Sequence, residues 1–211
     1  MEKIAIISDI HGNFSGLQTV MTDIENCGCN RIICLGDLVD GGDYNDEVVR
    51  FLRDNQIACV RGNHDEFNNL ELAKDVQEFI DSLPNEIVEL DRIYTHISPR
   101  IKKNTISSPV EAWNVFCEIS YRIVFVGHVH VPLIFGEKCE EFGSSTVYEF
   151  NYGEPFHLDL KDRYVISVGA VGYGRDQIKK LRYVIYNQTE NSVEFRAVDG
   201  ELLPLGFWAF F

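Results

Sequence analysis

Read from the N-terminus, short apolar runs alternate with segments of helical period. Lys3 to Ser8 is a strand-like run, after which Phe14, Leu17, Met21 and Ile24 mark one helical face. Arg31 to Leu35 is the next strand, a helix follows over about Asp46 to Asp54, and Gln56 to Val60 reads as a third strand. Phe67, Leu70, Ala73, Val76, Ile80 and Leu83 then recur at helical spacing, which predicts a long helix stopped before Pro84. This alternation predicts a largely parallel sheet with helices packed on it.

The second half is richer in strand. Ile93 to Thr95 and Arg122 to Val126 are short apolar runs, and between them Ser108-Pro109-Val110-Glu111 has the form of a capping box with proline at the first helical position. It predicts a helix over about Pro109 to Glu118. Further strands are expected near Val131 to Phe135, Thr146 to Phe150, Arg163 to Val168, Leu181 to Tyr186 and Val193 to Val198, joined by hairpins and mostly antiparallel. Gly136 to Asp162 reads as irregular. The apolar end, Leu202 to Phe211, is too short to span a bilayer and reads as core packing or an oligomer contact.

Five of the apolar runs end in residues that can bind a metal. Ile4–Ser8 leads to Asp9-Ile10-His11, Ile32–Leu35 to Gly36-Asp37-Leu38-Val39-Asp40, and Ile57–Val60 to Arg61-Gly62-Asn63-His64-Asp65. Ile93–Thr95 leads to His96, and Ile123–Val126 to Gly127-His128-Val129-His130. Groups just past the carboxyl ends of strands in an open α/β sheet converge on one crevice, so the pattern predicts one site built from five loops. Taken singly, an Asp-x-His or a Gly-Asn-His-Asp is a weak signal. Taken together, five of the six histidines fall in these segments, and only His157 lies outside them.

Residue type then points to chemistry. Carboxylate, imidazole and amide donors without a required thiolate suit manganese, iron or zinc better than a soft metal. Asp9 and His11, two residues apart, can point the same way from an extended segment, whereas His128 and His130 can equally serve different metals. Gly36, Gly62 and Gly127 each precede a ligand-grade residue, where a backbone without Cβ can turn sharply and approach an ion closely.

Composition narrows the partners. The chain has 211 residues, enough for one domain (1–211) with a sizeable core. The net charge is −14, and two divalent cations would leave −14 + 4 = −10, which disfavours long nucleic acid as a ligand. No apolar run approaches the roughly 20 residues of a membrane helix. Met1-Glu2-Lys3 followed by Ile4 to Ile7 is too short and too soon acidic for a signal peptide, so a cytoplasmic protein without disulfides is expected. Cys27-Gly-Cys29 has the wrong spacing for a zinc knuckle, and Cys34 and Cys59 read as buried thiols.

The ordered set Asp-x-His, Gly-Asp-x-x-Asp, Gly-Asn-His-Asp, lone His and Gly-His-x-His, spanning Asp9 to His130, resembles the calcineurin-like metallophosphoesterase superfamily, in its small prokaryotic phosphodiesterase-like branch. The resemblance implies an α/β fold of two facing mixed β-sheets flanked by helices, a four-layer αββα sandwich. It implies two divalent cations: Asp9, His11 and His130 on the first, Asn63, His96 and His128 on the second, and Asp37 bridging them. His64, oriented by Asp40, would protonate the leaving oxygen. Two cations about 3.5–4 Å apart can share a hydroxide and clamp the attacking and leaving oxygens of an in-line displacement.

Two departures from the family pattern bear on substrate choice. The lone histidine is followed by Ile97 where glycine is usual, and Ser167-Val168-Gly169-Ala170-Val171-Gly172 replaces an Asn- and Ser-containing stretch. Arg100 and Arg175 are candidates to clamp a phosphate, with solvated surface arginines as the competing reading. A small-molecule phosphodiester or nucleotide is the expected substrate. A phosphomonoesterase or protein phosphatase is the alternative within enzymes, and a binding scaffold of the same fold, like a known sorting-complex subunit, is the alternative outside them.

Overall fold

Along β1 (Lys3–Ile7) successive side chains point to opposite faces, and both faces are buried. Ile4 and Ile6 pack with Ile33, Leu35, Tyr94, Phe125 and Tyr186, whereas Ala5 and Ile7 pack with Leu17, Val20, Val48 and Leu52. A strand apolar on both faces must be covered on both, and that requirement sets the layering.

The computed structural model describes residues 2–204. It holds two six-stranded sheets face to face. The first has the order β3 (Ala58–Cys59), β2 (Arg31–Cys34), β1, β11 (Leu181–Asn187), β12 (Ser192–Val198) and β9 (Pro155–His157). The second has the order β4 (Glu86–Glu89), β5 (Arg92–Thr95), β6 (Ile123–Val126), β10 (Tyr164–Ser167), β7 (Leu133–Gly136) and β8 (Thr146–Val147). Helices α1 (Phe14–Asn26), α2 (Asn45–Asp54) and α4 (Lys74–Ser82) bury their apolar stripes on the outer face of the first sheet. Helix α5 (Pro109–Glu118) covers the outer face of the second through Ala112, Val115 and Phe116. This is the expected helix–sheet–sheet–helix arrangement.

Local signals explain most element ends. The Asn13 side chain accepts the Gly16 N–H at 2.9 Å and starts α1. At α5 the Ser108 hydroxyl accepts the Glu111 N–H, and the Glu111 carboxylate turns back to Ser107 and Ser108, as the capping box predicts. Strands β1, β2 and β3 are parallel neighbours.

Several expectations are corrected. The helix expected from Phe67 to Leu83 is instead a short turn, α3 (Asn63–Glu66), then an irregular stretch, then α4. Asn68 breaks it: its amide donates to the His64 and Asp65 carbonyls, and its oxygen accepts the Leu70 N–H. Within Gly136 to Asp162 the strand expected at Thr146 to Phe150 is present as the shorter β8, whereas β9 went unread, as did β4, because four residues with glutamate at both ends carry little strand signal. The hairpin expectation also fails for one side of β10, which pairs antiparallel with β7 but parallel with β6.

Of the apolar C-terminal segment, Leu202 packs on the first-sheet core, and the Leu203 N–H donates to the Gly172 carbonyl at 2.9 Å. Residues 205–211 lie outside the described residues. Among the described residues no helix is long and apolar enough to cross a membrane.

Candidate metal centre

The carboxyl ends of β1, β2, β3, β5 and β6 meet at one edge of the sandwich, and their loops are laced together. The Asp9, Ile10 and His11 N–H groups donate to the Gly36 and Asp37 carbonyls at 2.8–3.0 Å, and the Gly127 N–H donates to the His96 carbonyl at 2.9 Å. Val171 and Gly172 donate to the Ser8 and Asp9 carbonyls from the opposite side. All three glycines flagged by sequence are required by close approach, and a Cβ on Gly36 would lie 2.5 Å from the Gly62 backbone nitrogen. A Cβ on Gly62 would lie 2.1 Å from Asp37 Oδ1, and one on Gly127 would lie 2.0 Å from Ser8 Oγ.

The backbone at the site is unusual. Asp9, His11, Asp37, Asp40, His128 and His130 all have φ between 53° and 71°, and they are six of the nine non-glycine residues with left-handed backbone among the described residues. Such conformations are costly for residues with a Cβ, and they cluster where function demands a particular side-chain direction. This corrects one expectation. Asp9 and His11 reach the same place from two left-handed residues, not from an extended segment.

Asp9, His11, Asp37 and His130 bring one potential ligand atom each within 4.8 Å of one another, and Asp37, His96 and His128 do the same. Asp37 is common to both groups. His130 Nε2 is 3.1 Å from Asp9 Oδ1, and His96 Nε2 is 3.1 Å from Asp37 Oδ2. Asn63 Oδ1 lies 3.0 Å from both His96 Nε2 and His128 Nδ1, which adds an amide oxygen to the second group. His128 and His130 therefore serve different groups. His64 belongs to neither; its Nδ1 is 2.6 Å from Asp40 Oδ2, and its ring sits edge-on to His11.

Backbone carbonyls orient three of the rings. His11 Nδ1 donates to the Asp40 carbonyl (3.0 Å), His96 Nδ1 to that of Leu35 (2.7 Å) and His130 Nδ1 to that of Tyr173 (2.8 Å). In the neutral form, a ring that donates from Nδ1 keeps a lone pair on Nε2. Yet the Nε2 atoms of His11 and His130 face each other at 3.3 Å, while His96 Nε2 faces the Asn63 amide oxygen and the Asp37 carboxylate, which favour a proton there in the chain alone. Acceptors turned on acceptors in a buried place are reconciled by cations. The donor set, carboxylate and imidazole with one amide, fits manganese, iron or zinc.

The electrostatics of the chain alone agree. Burial opposes charge on Asp37, but the neighbouring His96 and His11 together outweigh it and hold the carboxyl down at about 2. Burial likewise disfavours a charged His96, but Asp37 outweighs it and pushes the imidazole up to about 9. Asp9 is held well below the usual carboxylate range, His130 and the other histidines overcoming its burial. Burial lowers His11 and His128 to about 4. Below pH 9, then, a proton on His96 occupies charge space that a cation would take. Loading at pH 7 is expected to release about one proton from His96, with affinity falling about tenfold per pH unit on acidification. Mn²⁺ titration calorimetry in buffers of different ionisation enthalpy measures this, and absence of proton release would contradict it.

One functional residue carried no assigned role in the sequence. Asp65 is buried and accepts the N–H groups of Gly62 (2.8 Å), Asp37 (2.9 Å) and Leu38 (2.8 Å), which ties the loop after β3 to the loop after β2. Its position, third in a helical turn opened by Gly62, is the signal that marks it. The Tyr173 carbonyl has no sequence signature at all. Arg100 gives its guanidinium to Glu118 at 2.5 and 2.9 Å. Arg175 is exposed, and its charge acts on Tyr173 and His128.

Comparison with known proteins supplies the family. A family model described as the calcineurin-like phosphoesterase superfamily domain matches residues 2–191. An uncharacterized protein of Methanocaldococcus jannaschii is 31% identical, with 94% of this chain and 88% of that protein covered. The crystal structure of a metallophosphoesterase from Sphaerobacter thermophilus superposes with a TM-score of 0.83 at 29% identity, covering 95% of this chain and 89% of that one. Yfce, a phosphoesterase from E. coli, shares the fold at 15% identity and a TM-score of 0.54, covering 93% of this chain and all of that one. By sequence and by fold the chain is a metallophosphoesterase and belongs to the calcineurin-like phosphoesterase superfamily.

Proposed function

We propose that this protein hydrolyses small phosphodiesters or nucleotides at a pair of divalent cations. The observation that carries the reading is the pair of acceptor clusters sharing Asp37, with the His64–Asp40 pair beside them. Asp9, His11 and His130 would hold one cation, Asn63, His96 and His128 the other, and Asp37 would bridge them. Manganese, iron or zinc would polarise the phosphoryl oxygens and activate the attacking water. The chain's own task is to place and protonate. Asp40 accepts from His64 Nδ1, which leaves Nε2 to carry the proton given to the leaving oxygen. Arg175, exposed beside His128, would meet the phosphate as it enters. Arg100 is not included, because its guanidinium is committed to Glu118. The net charge of −14 favours a small substrate over a long polyanion.

Chelator-treated protein is expected to be inactive and to regain turnover of bis-p-nitrophenyl phosphate when Mn²⁺ is restored. A parallel screen of p-nitrophenyl phosphate, phosphopeptides and nucleotides ranks diester against monoester. Absence of turnover on every substrate with every metal tried would sink the reading.

A further inference from the structure

Beside the second ligand group lies a cleft of about 220 Å³. Its lining includes Asn63 and His96, the positive charges of Arg61 and Lys103, the carboxylate of Glu66, and the apolar surface of Phe67 and Ile97. Phe67 is 74% exposed, so its ring is open to a ligand in the cleft it lines. A built turn holds it there. Its N–H donates to the Asn63 carbonyl at 2.8 Å, and Asn68, the next residue, clamps the turn through the His64 and Asp65 carbonyls. The Phe67 backbone is thus tied to the end of the short helix that carries Asn63 and His64. On the other side Ile97 follows His96 directly, and the Lys103 ammonium is held by the Ser98 carbonyl at 2.8 Å.

We propose that this cleft receives the ester group of the substrate, and that Phe67 and Ile97 select phosphoesters whose ester group is a flat ring, aryl or nucleoside. The inference rests on the phosphoesterase reading and narrows its substrate class. Arg61 and Lys103 outnumber the Glu66 carboxylate and leave the lining net positive, which suits an anion, and the two apolar side chains suit a ring attached to it. The cleft is smaller than the ~300–1,000 Å³ of pockets that bury drug-sized ligands, so it takes one ring system and leaves the rest of a larger substrate outside.

Phosphonates test the cleft apart from turnover, because their C–P bond leaves nothing to hydrolyse. Calorimetric titration of the Mn²⁺-loaded protein is expected to show phenylphosphonate binding about tenfold tighter than methylphosphonate, the scale of one ring stacked on an aromatic side chain. In Phe67→Ala the two should bind within about twofold of each other, with methylphosphonate affinity and metal content as in the wild type. Ile97→Ala should shift the ratio in the same direction. Equal binding of the two phosphonates by the wild type, or an unchanged ratio in Phe67→Ala, overturns the selection by ring. Failure to bind either phosphonate overturns the phosphoesterase site together with the cleft. Tighter phenylphosphonate binding by a protein that turns over no ester overturns the enzyme reading alone.

Discussion

Asp37→Asn is expected to empty both cation groups together and to lower kcat/KM by at least about 10³-fold, the scale of several kcal/mol of lost transition-state charge stabilisation. Asp37 is the residue the two groups have in common, and it lies 3.1 Å from His96 Nε2 and 3.7 Å from His11 Nε2. The amide keeps the shape and can still accept the His64 N–H, which now donates to Asp37 Oδ1 at 2.8 Å. The fold should therefore survive, as a thermal melt of the metal-free protein would verify. Metal content by mass spectrometry then reads the effect directly. His11→Ala serves as the contrast, since it touches one group and should leave the other loaded. If Asp37→Asn kept both cations at full occupancy, the shared-carboxylate arrangement would be wrong.

His64→Ala is expected to lose about 10²–10⁴-fold in kcat, the usual contribution of a positioned general acid, while both cations stay bound. Its side chain is part-buried and paired with Asp40, and it is absent from both ligand groups. A proton donor matters most when the leaving oxygen is a poor one. The defect should therefore be larger for alkyl esters than for p-nitrophenyl esters. A uniform loss across leaving groups, or loss of metal from His64→Ala, would show that His64 does something else.

How much of this was readable beforehand follows from the range of the interactions involved. Strand β1 to helix α2 and the capping box of α5 are local, so apolar period and cap residues placed them within a residue or two. The site residues were legible because each follows an apolar strand in a short motif, and the structure brings Asp9, His11, Asp37, His96, His128 and His130 into two groups. What escaped was non-local or fine-grained. The parallel pairing of β6 with β10 joins segments about 40 residues apart, and nothing in either strand names the other. The apolar spacing from Phe67 to Leu83 was helical, but one asparagine amide redirected its first turns. Nothing in the sequence separates Arg100 from Arg175, because Glu118, which takes the Arg100 guanidinium, lies 18 residues away. Asp65 and the carbonyls behind His11, His96 and His130 act through backbone groups, which every residue possesses and no motif reveals.

The left-handed backbone at Asp9, His11, Asp37, Asp40, His128 and His130 has an evolutionary side. Each such residue costs about 1–2 kcal/mol against an ordinary conformation, and six of them together rival the ~5–15 kcal/mol that keeps a domain folded. Glycine would relieve the strain at any of these positions and would delete the side chain the site depends on. Alanine would delete it and relieve nothing. Selection for a sturdier protein therefore has no purchase on these six residues. Gains in heat tolerance must accumulate in the sheets, the helices and the distant loops, while the edge that carries the chemistry keeps its strain for as long as it keeps its function.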